Sequence, residues 1–540
     1  MSSRLCSYNP FQHLLLFTKS DKVCKKYIFL NSRMNWKVKR LIYILILAIT
    51  GIGHSANLYV DSSAPEGGDG SMENPYNQLR DLRGVMLTGD FVYLKRDSVF
   101  YETLEPHSGS ADSLVVIRDY GNGENPKPKI YGYEDINDWL EVPESNDMNS
   151  LTCYKADWTG SPFHNCCGYA FLYEDGVQKT FAKSNKSDLS NNYDWWVDEP
   201  NDKVYLLLEH YPNDIAIGKR EFCIDLNQRD YITIKNIEVG GSISSAILVS
   251  NNTGTVIENV YISSSGYAGI GIGNGPMNTR IQNCEITECD HAGIFANDVG
   301  GDTTDGLRIY NNYIHDVKLE GMAFERYMRS VEVVGNVIIN VDADQHGGSP
   351  DGVGIWLQQL DDEEAKYIIR NNTIMDCEQT CFLAECNDLN ASLVVANNIF
   401  DNSSQPAISP CVIYGYWYGI TNNNYINYNC YHKQKTSDDL IWLKINDFRN
   451  KYSLLDFASY QTETGLDTHS IAQDPNLNPD GSLGYSSPCI NAGEPVYGGG
   501  FKTIGAWLPS AFIQSDLNHD GKIDFRDFAI LANHWLQEAD

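Results

Sequence analysis

The chain has 540 residues, and its 42% hydrophobic and 21% charged content is the balance of a folded soluble protein, either several domains or one long repeat array. Acidic residues outnumber basic ones by 71 to 40, a formal charge of -31. That argues against nucleic acid as a partner, because phosphate binding rests on Lys and Arg. A polyanionic sugar would need local Lys, Arg or bound calcium.

From Met34, residues Lys37, Lys39 and Arg40 form a positive segment and Leu41–Ile49 a short apolar run, followed by small residues from Gly51 to Ala56. This is the layout of an export signal spanning 34–56 and cleaved near Ala56. The run is short for a membrane span, an uncleaved anchor being the alternative. Residues 1–33 precede a signal with its own Met and read as an over-extended start. Export permits disulfides. Of the 14 cysteines, Cys6 and Cys24 lie before Met34, and no CxxC pair points to zinc.

Residues 57–133 read as strands and Gly-rich turns. Residues 134–228 break that pattern: Trp195–Trp196, the Asp198–Asp202 turn region and VYLLLEH at 204–210 suggest a β-rich insert. Its aromatics (Tyr169, Tyr173, Trp158, Tyr193, Trp195, Trp196) suit a satellite core, with a sugar-stacking platform as the alternative. Cys153, Cys166, Cys167 and Cys223 share this segment, which leaves a bridge open there; Cys284, Cys381 and Cys411 read as apolar fillers of strands.

From residue 229 a phrase recurs: ITIKNIEV, TVIENVYI, TRIQNCEI, LRIYNNYI, VEVVGNVII, YIIRNNTI and LVVANNIF. Aligned on the apolar residue that follows, the repeated residues are Asn236, Asn259, Asn283, Asn311, Asn336, Asn371 and Asn397, spaced 23 to 35 residues apart. Ten residues after each, a small residue opens another strand (Ala246, Gly269, Gly293, Gly321, Cys381, Ala407). The Asn336 turn departs, with Gly354–Ile355 arriving eight residues late, so an insertion sits around 341–352. Such turns cannot bury their apolar side alone and must stack at about 4.8 Å, one continuous core resulting. An Asn at each bend can form a hydrogen-bonded ladder, a scaffold role.

These turns resemble the pectate-lyase-like right-handed parallel β-helix superfamily. The opening NLYVDSSAPEGGDGSMENPYNQL, with a short capping helix near Leu79–Met86, is similar to that of many secreted members, and 455–506 resembles their closing segment. The resemblance covers roughly residues 57–507. It implies an all-β fold, a right-handed parallel β-helix (solenoid) occupying 57–133 and 229–507. It also implies a function among secreted polysaccharide lyases and glycoside hydrolases, although fold does not settle function.

In such enzymes a sugar chain lies across several turns on the outer face of one sheet. Alternation makes Ile294 and Ala296, or Met322 and Phe324, inward pairs, leaving an outward column Ser250, Gly273, Asn297, Glu325, Gln358 and Glu385, with Phe295 and Trp356 adding aromatic surface. The preceding turns add Asp290, His291, Lys318 and Glu320, and the insertion adds Asp342, Asp344, His346 and Asp351. His291, Glu320 and Asp351 are positional counterparts of the polygalacturonase-type catalytic residues, but that family's NTD, DD and RIK motifs are absent. A hydrolase needs an acid and a water-activating or attacking carboxylate, for which Glu325, Glu320 and Asp351 are candidates. A lyase needs a base (Lys318, Arg326 or His291) and a cation at the uronate carboxylate, calcium or Arg329. Lys318, Arg326, Trp356 and Glu385 are read as substrate-binding. The favoured function is an extracellular polysaccharide-degrading enzyme, hydrolase ahead of lyase; a non-catalytic carbohydrate-binding or adhesin-like β-helix is the alternative.

At the C-terminus, SDLNHDGKIDFRDFAILANHWL places Asp516, Asn518, Asp520, Lys522 (through its carbonyl) and Asp527 at positions one, three, five, seven and twelve of a calcium loop, with Gly521 at the turn. Phe528, Leu531 and Trp535 share a face of the following helix. This calcium-loop/helix module, residues 514–537, resembles a single dockerin repeat, which implies a cohesin-like receptor as partner; an anchoring or sorting tail is the other reading.

Overall fold

The computed structural model describes residues 55–142, 151–159, 163–164, 168–298, 303–343, 352–358, 365–386, 392–402, 413–417, 424–433, 439–445, 448–495 and 503–506. The chain divides into two compact units, of which the first, residues 1–54, lies outside the described residues. Residues 34–54 of the export signal, Cys166, Cys167, Asp344, His346, Asp351, Cys411 and the whole C-terminal calcium loop therefore also lie outside them. Among the described residues no helix is long and apolar enough to cross a membrane.

The unit from Ser55 onward is all-β, coiled through three long sheets of 11, 11 and 10 strands, here sheets 1, 2 and 3. One turn passes through Ile232–Lys235 in sheet 1, Glu238–Gly240 in sheet 2 and Ile247–Ser250 in sheet 3. The next strand, Val256–Glu258, then pairs in parallel with the first. Within sheet 3 the final pair, Asp439–Ile445 with Phe448–Ser453, is antiparallel. Because side chains alternate across a strand, one set from every turn stacks inside. In sheet 3 the pairs Ile247/Val249, Ile270/Ile272, Ile294/Ala296, Met322/Phe324 and Ile355/Leu357 all join the main core.

The bend between sheets 1 and 2 corrects the sequence alignment. Asn236, Asn259, Asn283, Asn311, Asn371 and Asn397 all take left-handed backbone (φ 50–60°), but the matching position in the fifth turn is Gly335 (φ 73°), not Asn336. Asn tolerates that conformation better than most L-residues, and Gly adopts it freely. Asn336 belongs one position later, where side chains point inward. There Asn312, Asn336, Asn372, Asn398 and Asn429 form the buried ladder. Each backbone N–H donates to the next turn's Oδ1 (Asn312 to Asn336 2.9 Å, Asn336 to Asn372 2.9 Å, Asn372 to Asn398 3.0 Å, Asn398 to Asn429 2.9 Å). Each Nδ2 also donates to a carbonyl of the preceding turn, as Asn336 does to Ile309 at 2.9 Å. In the earlier turns the same inward position is apolar: Ile237, Val260 and Cys284.

The small residue that opens each sheet 3 strand has a packing cause. A Cβ on Gly293 would lie 2.6 Å from Ile314 Cγ2 and 2.7 Å from the Gly321 carbonyl, so only a small residue lets adjacent turns approach. In the last of these strands Ile413 pairs with Phe382 and so takes the inward position next to the small-residue column, while Ala407 lies outside the described residues. The expected insertion appears as a break between Asp342, still paired with Lys318, and Val353, paired with Glu320.

Between the sheet 2 strand Lys129–Tyr131 and the sheet 3 strand Ile224–Asp225 lie two four-stranded antiparallel sheets. Trp158 and Trp195 are buried in their shared core, and Tyr173 is buried in an adjoining cluster, so these aromatics pack the insert instead of facing sugar. Cys223, Cys284 and Cys381 are free and buried, and Cys153 is buried as well. The expected capping helix is a single 3-10 turn, Leu79–Leu82, whose two leucines close the first end of the core. At the other end the helix Phe457–Thr464 buries Phe457 and Tyr460. The closing segment lies on the outer face of sheet 2, where Ile504 and Cys489 pack with Ile399 and Cys430.

Candidate active site

Sheet 3 carries the acidic and aromatic side chains. In register, Ser250, Gly273, Asn297, Glu325 and Gln358 form one outward column, which continues through Glu385 to the positions of Tyr416 and Lys444. Beside it run Gly271, Phe295, Ala323, Trp356 and Leu383. Phe295, Ala323, Trp356 and Leu383 form an apolar cluster with Ala268, Ala292 and Val353, separate from the solenoid core, with Tyr267 packed against it. An apolar strip flanked by polar groups is the composition of a binding cleft.

His291 sits at the head of this strip. Its backbone N–H donates to the Tyr267 carbonyl at 2.9 Å, and the Glu320 N–H donates to the His291 carbonyl at 3.2 Å, so three consecutive turns contribute neighbouring side chains. The imidazole lies 4.3 Å from the Tyr267 ring and 5.1 Å from the Phe295 ring, centroid to centroid. Its Nδ1 is 3.1 Å from Glu320 Oε2, an ion-pair distance off the line of a hydrogen bond. The Glu320 side chain is only 3% exposed and that of His291 25%. His291 is thus the member of the pair that can meet a ligand, and Glu320 lies behind it as its positioning carboxylate.

Glu325 occupies the centre of the outward column. Asn297 donates to it at 2.6 Å, which leaves Asn297 Oδ1 buried and unpartnered. Burial raises the Glu325 carboxyl above the usual range; Glu320 and Glu385 push the same way, and His291 and Arg326 oppose them. Burial likewise raises Glu385, with the Trp356 indole opposing. Carboxyls whose protonated form is favoured by partial burial are the groups expected of general acids.

The other candidates separate by environment. Lys318 is ion-paired with Asp290. Arg326 follows Glu325 directly, exposed and in left-handed backbone (φ 44°). Asp342, raised by burial and by Glu378 and Asp316, belongs to the end of sheet 2. Asp298, absent from the candidates, accepts from Gly275 and Thr304 at 2.7 Å each and staples a loop. Tyr267 was also absent from them, although its place three residues before Ile270, matching His291 before Ile294, is visible once the turns are aligned. Among the described residues no group of three or more His, Cys, Asp or Glu is arranged to hold a metal ion.

The family profile described as the right-handed beta helix region matches residues 222–431, and the fold is accordingly a right-handed parallel β-helix. No curated protein matches the sequence. Solved structures similar to the chain include pectate lyase Pel9A (12% identity, TM-score 0.47, covering 85% of this chain and 98% of that one). XylC in complex with xylose is another (15% identity, TM-score 0.46, covering 73% and 86%). A third is a lacto-N-biosidase of glycoside hydrolase family 136 from Eubacterium ramulus (13% identity, TM-score 0.44, covering 76% and 69%). Identities and scores this low speak to neither substrate nor reaction.

Proposed function

We propose, on the premise of a right-handed β-helix with an acidic, aromatic outer face on sheet 3, that the protein cleaves glycosidic bonds of an extracellular polysaccharide, as a hydrolase. The observation that carries this reading is the pairing of unlike groups on adjacent turns: Glu325, biased toward its protonated form, and His291, backed by Glu320. Glu325 would donate its proton to the leaving oxygen, while His291 would take one from the attacking water; Phe295 and Trp356, largely buried, would support the face from beneath, and Gln358 and Glu385 would bind hydroxyls. Incubation with a panel of polysaccharides tests it. New reducing ends without unsaturated product uphold a hydrolase. Unsaturated, ultraviolet-absorbing product would identify a lyase with His291 as the base, and binding without either signal would leave a carbohydrate-binding β-helix.

Export through residues 34–56 and calcium binding at 514–537 belong to the same reading. The donor set of Asp516, Asn518, Asp520, the Lys522 carbonyl and Asp527 is all oxygen, as calcium prefers. Calorimetric titration with calcium of the full chain and of its Asp516→Ala and Asp527→Ala variants tests the loop. Loss of a calcium-dependent complex with a cohesin domain in those variants would establish docking, and its absence in the unaltered chain would leave an anchoring tail.

A further inference from the structure

We infer that the sheet 3 site takes an uncharged, hydroxyl-rich glycan, and excludes polyuronates; the inference rests on the carbohydrate reading above. Between residues 236 and 432, which include the whole candidate site, the chain has 24 Asp and Glu but only seven Lys and Arg. Those seven are not spread evenly. Arg280, Arg308, Lys366 and Arg370 lie on strands of sheet 1, and Arg329 directly precedes one. Lys318 is paired with Asp290, which leaves Arg326, exposed, as the cation nearest Glu325. Along the outward column the next cationic position in register is Lys444, past Glu385 and Tyr416. Three of the segments that adjoin these strands in sequence carry no Lys or Arg, 343–352 (ADQHGGSPDG), 359–364 (QLDDEE) and 387–391 (NDLNA), whereas 326–329 reads RYMR.

A polyuronate lying along the solenoid would present a carboxylate at nearly every sugar to a column already holding Glu325 and Glu385. Among the described residues no Lys or Arg other than Arg326 stands by that stretch of the column to neutralise those carboxylates, and an uncompensated charge is costly to desolvate. Neutral sugars meet no such barrier. Their hydroxyls can donate to or accept from the Glu325 and Glu385 carboxyls in either protonation state. The Phe295–Trp356–Leu383 strip lies just beneath this face, 9%, 6% and 3% exposed, and adds no charge to it.

The test compares polygalacturonate with its carboxyl-reduced derivative, identical in backbone and linkage, alongside neutral plant and microbial glycans, each with and without calcium. Binding is measured to the Glu325→Gln variant by affinity electrophoresis, and cleavage by the unaltered chain is followed through reducing ends and unsaturated product. The expected result is that the carboxyl-reduced or another neutral polymer is bound at least about tenfold more tightly than the polyuronate, and that Glu385→Lys narrows the gap. Tighter binding or preferential cleavage of polyuronate, with or without calcium, would overturn the inference, as would binding of neither class. Neutral binding without any cleavage would uphold it while ending the catalytic reading.

Discussion

At the scale of single residues, the site depends on how burial and neighbours divide roles among similar groups. Glu320 and Glu325 are five residues apart on one strand, yet one is hidden behind His291 and the other faces outward. Replacing Glu325 by Gln should lower kcat about 10²–10⁴-fold with little change in KM, the range for loss of a general acid. His291→Ala should act similarly. Glu320→Gln should instead shift the pH profile of kcat/KM, because it changes the field at His291 without touching substrate. The sign of the Glu325 effect is fixed by its raised carboxyl. Activity should fall as pH climbs through that raised value, since the acid form is the active one. Stability follows the same direction: Glu325 and Glu385 ionise later in the folded than in the unfolded chain, so their contribution is complete below the ordinary glutamate value of 4.5 and is lost as pH rises through the folded values. Thermal melts from pH 4 upward, about the carboxylate range, should show this loss reduced in the double Gln variant. The identities of these residues were legible in the sequence from alternation alone. The rank between Glu320 and Glu325 was not, because a bend at Leu319 (φ 54°) sets the strand start and with it which side chain is covered.

At the scale of the turn, two Asn columns divide the work at the bend. The outer one meets a backbone requirement and the inner one satisfies buried polar groups. Asn372→Ala would leave the Asn336 N–H and the Val333 carbonyl without their partners. At roughly 1–3 kcal/mol per orphaned buried group, the loss should total about 2–6 kcal/mol in a chemical denaturation experiment. Asn259→Ala, in the exposed column, should cost about 1–2 kcal/mol, mainly from left-handed backbone, with the exposed hydrogen bonds to Asn236 and from Lys127 adding little. Gly335→Ala should be costlier than its exposure suggests: besides φ 73°, its Cβ would come within 2.3 Å of Asn311 Oδ1. The repeat phrase made the bend visible but not its register. VVGNV and IYNNY each carry Asn before an apolar residue, and a one-residue shift in which Asn is matched changes an exposed residue into a buried one. Only the pairing of Tyr310 with Val334 resolves it.

At the scale of the whole repeat, closure matters as much as stacking, since the outer face of sheet 2 bears Val337, Ile339, Met375 and Ile399 and would be apolar if bare. The closing segment covers it. Ile504→Ala, at a side chain with no exposed surface, should destabilise by about 2–5 kcal/mol and lower the melting temperature, as buried aliphatic truncations do. The sequence by itself determined the all-β class, the turn length, the inward pairs of sheet 3 and the face where acids and aromatics gather. These follow from periodicity and local backbone preference, which neighbours in the chain encode. Tertiary structure alone decided that Trp158, Trp195 and Tyr173 belong to the insert's packing, that Asn336 is a core residue, and that His291 rather than Glu320 meets the cleft. Each of those depends on what the adjacent turn or sheet places against the side chain, and the residues that do so lie tens of positions away.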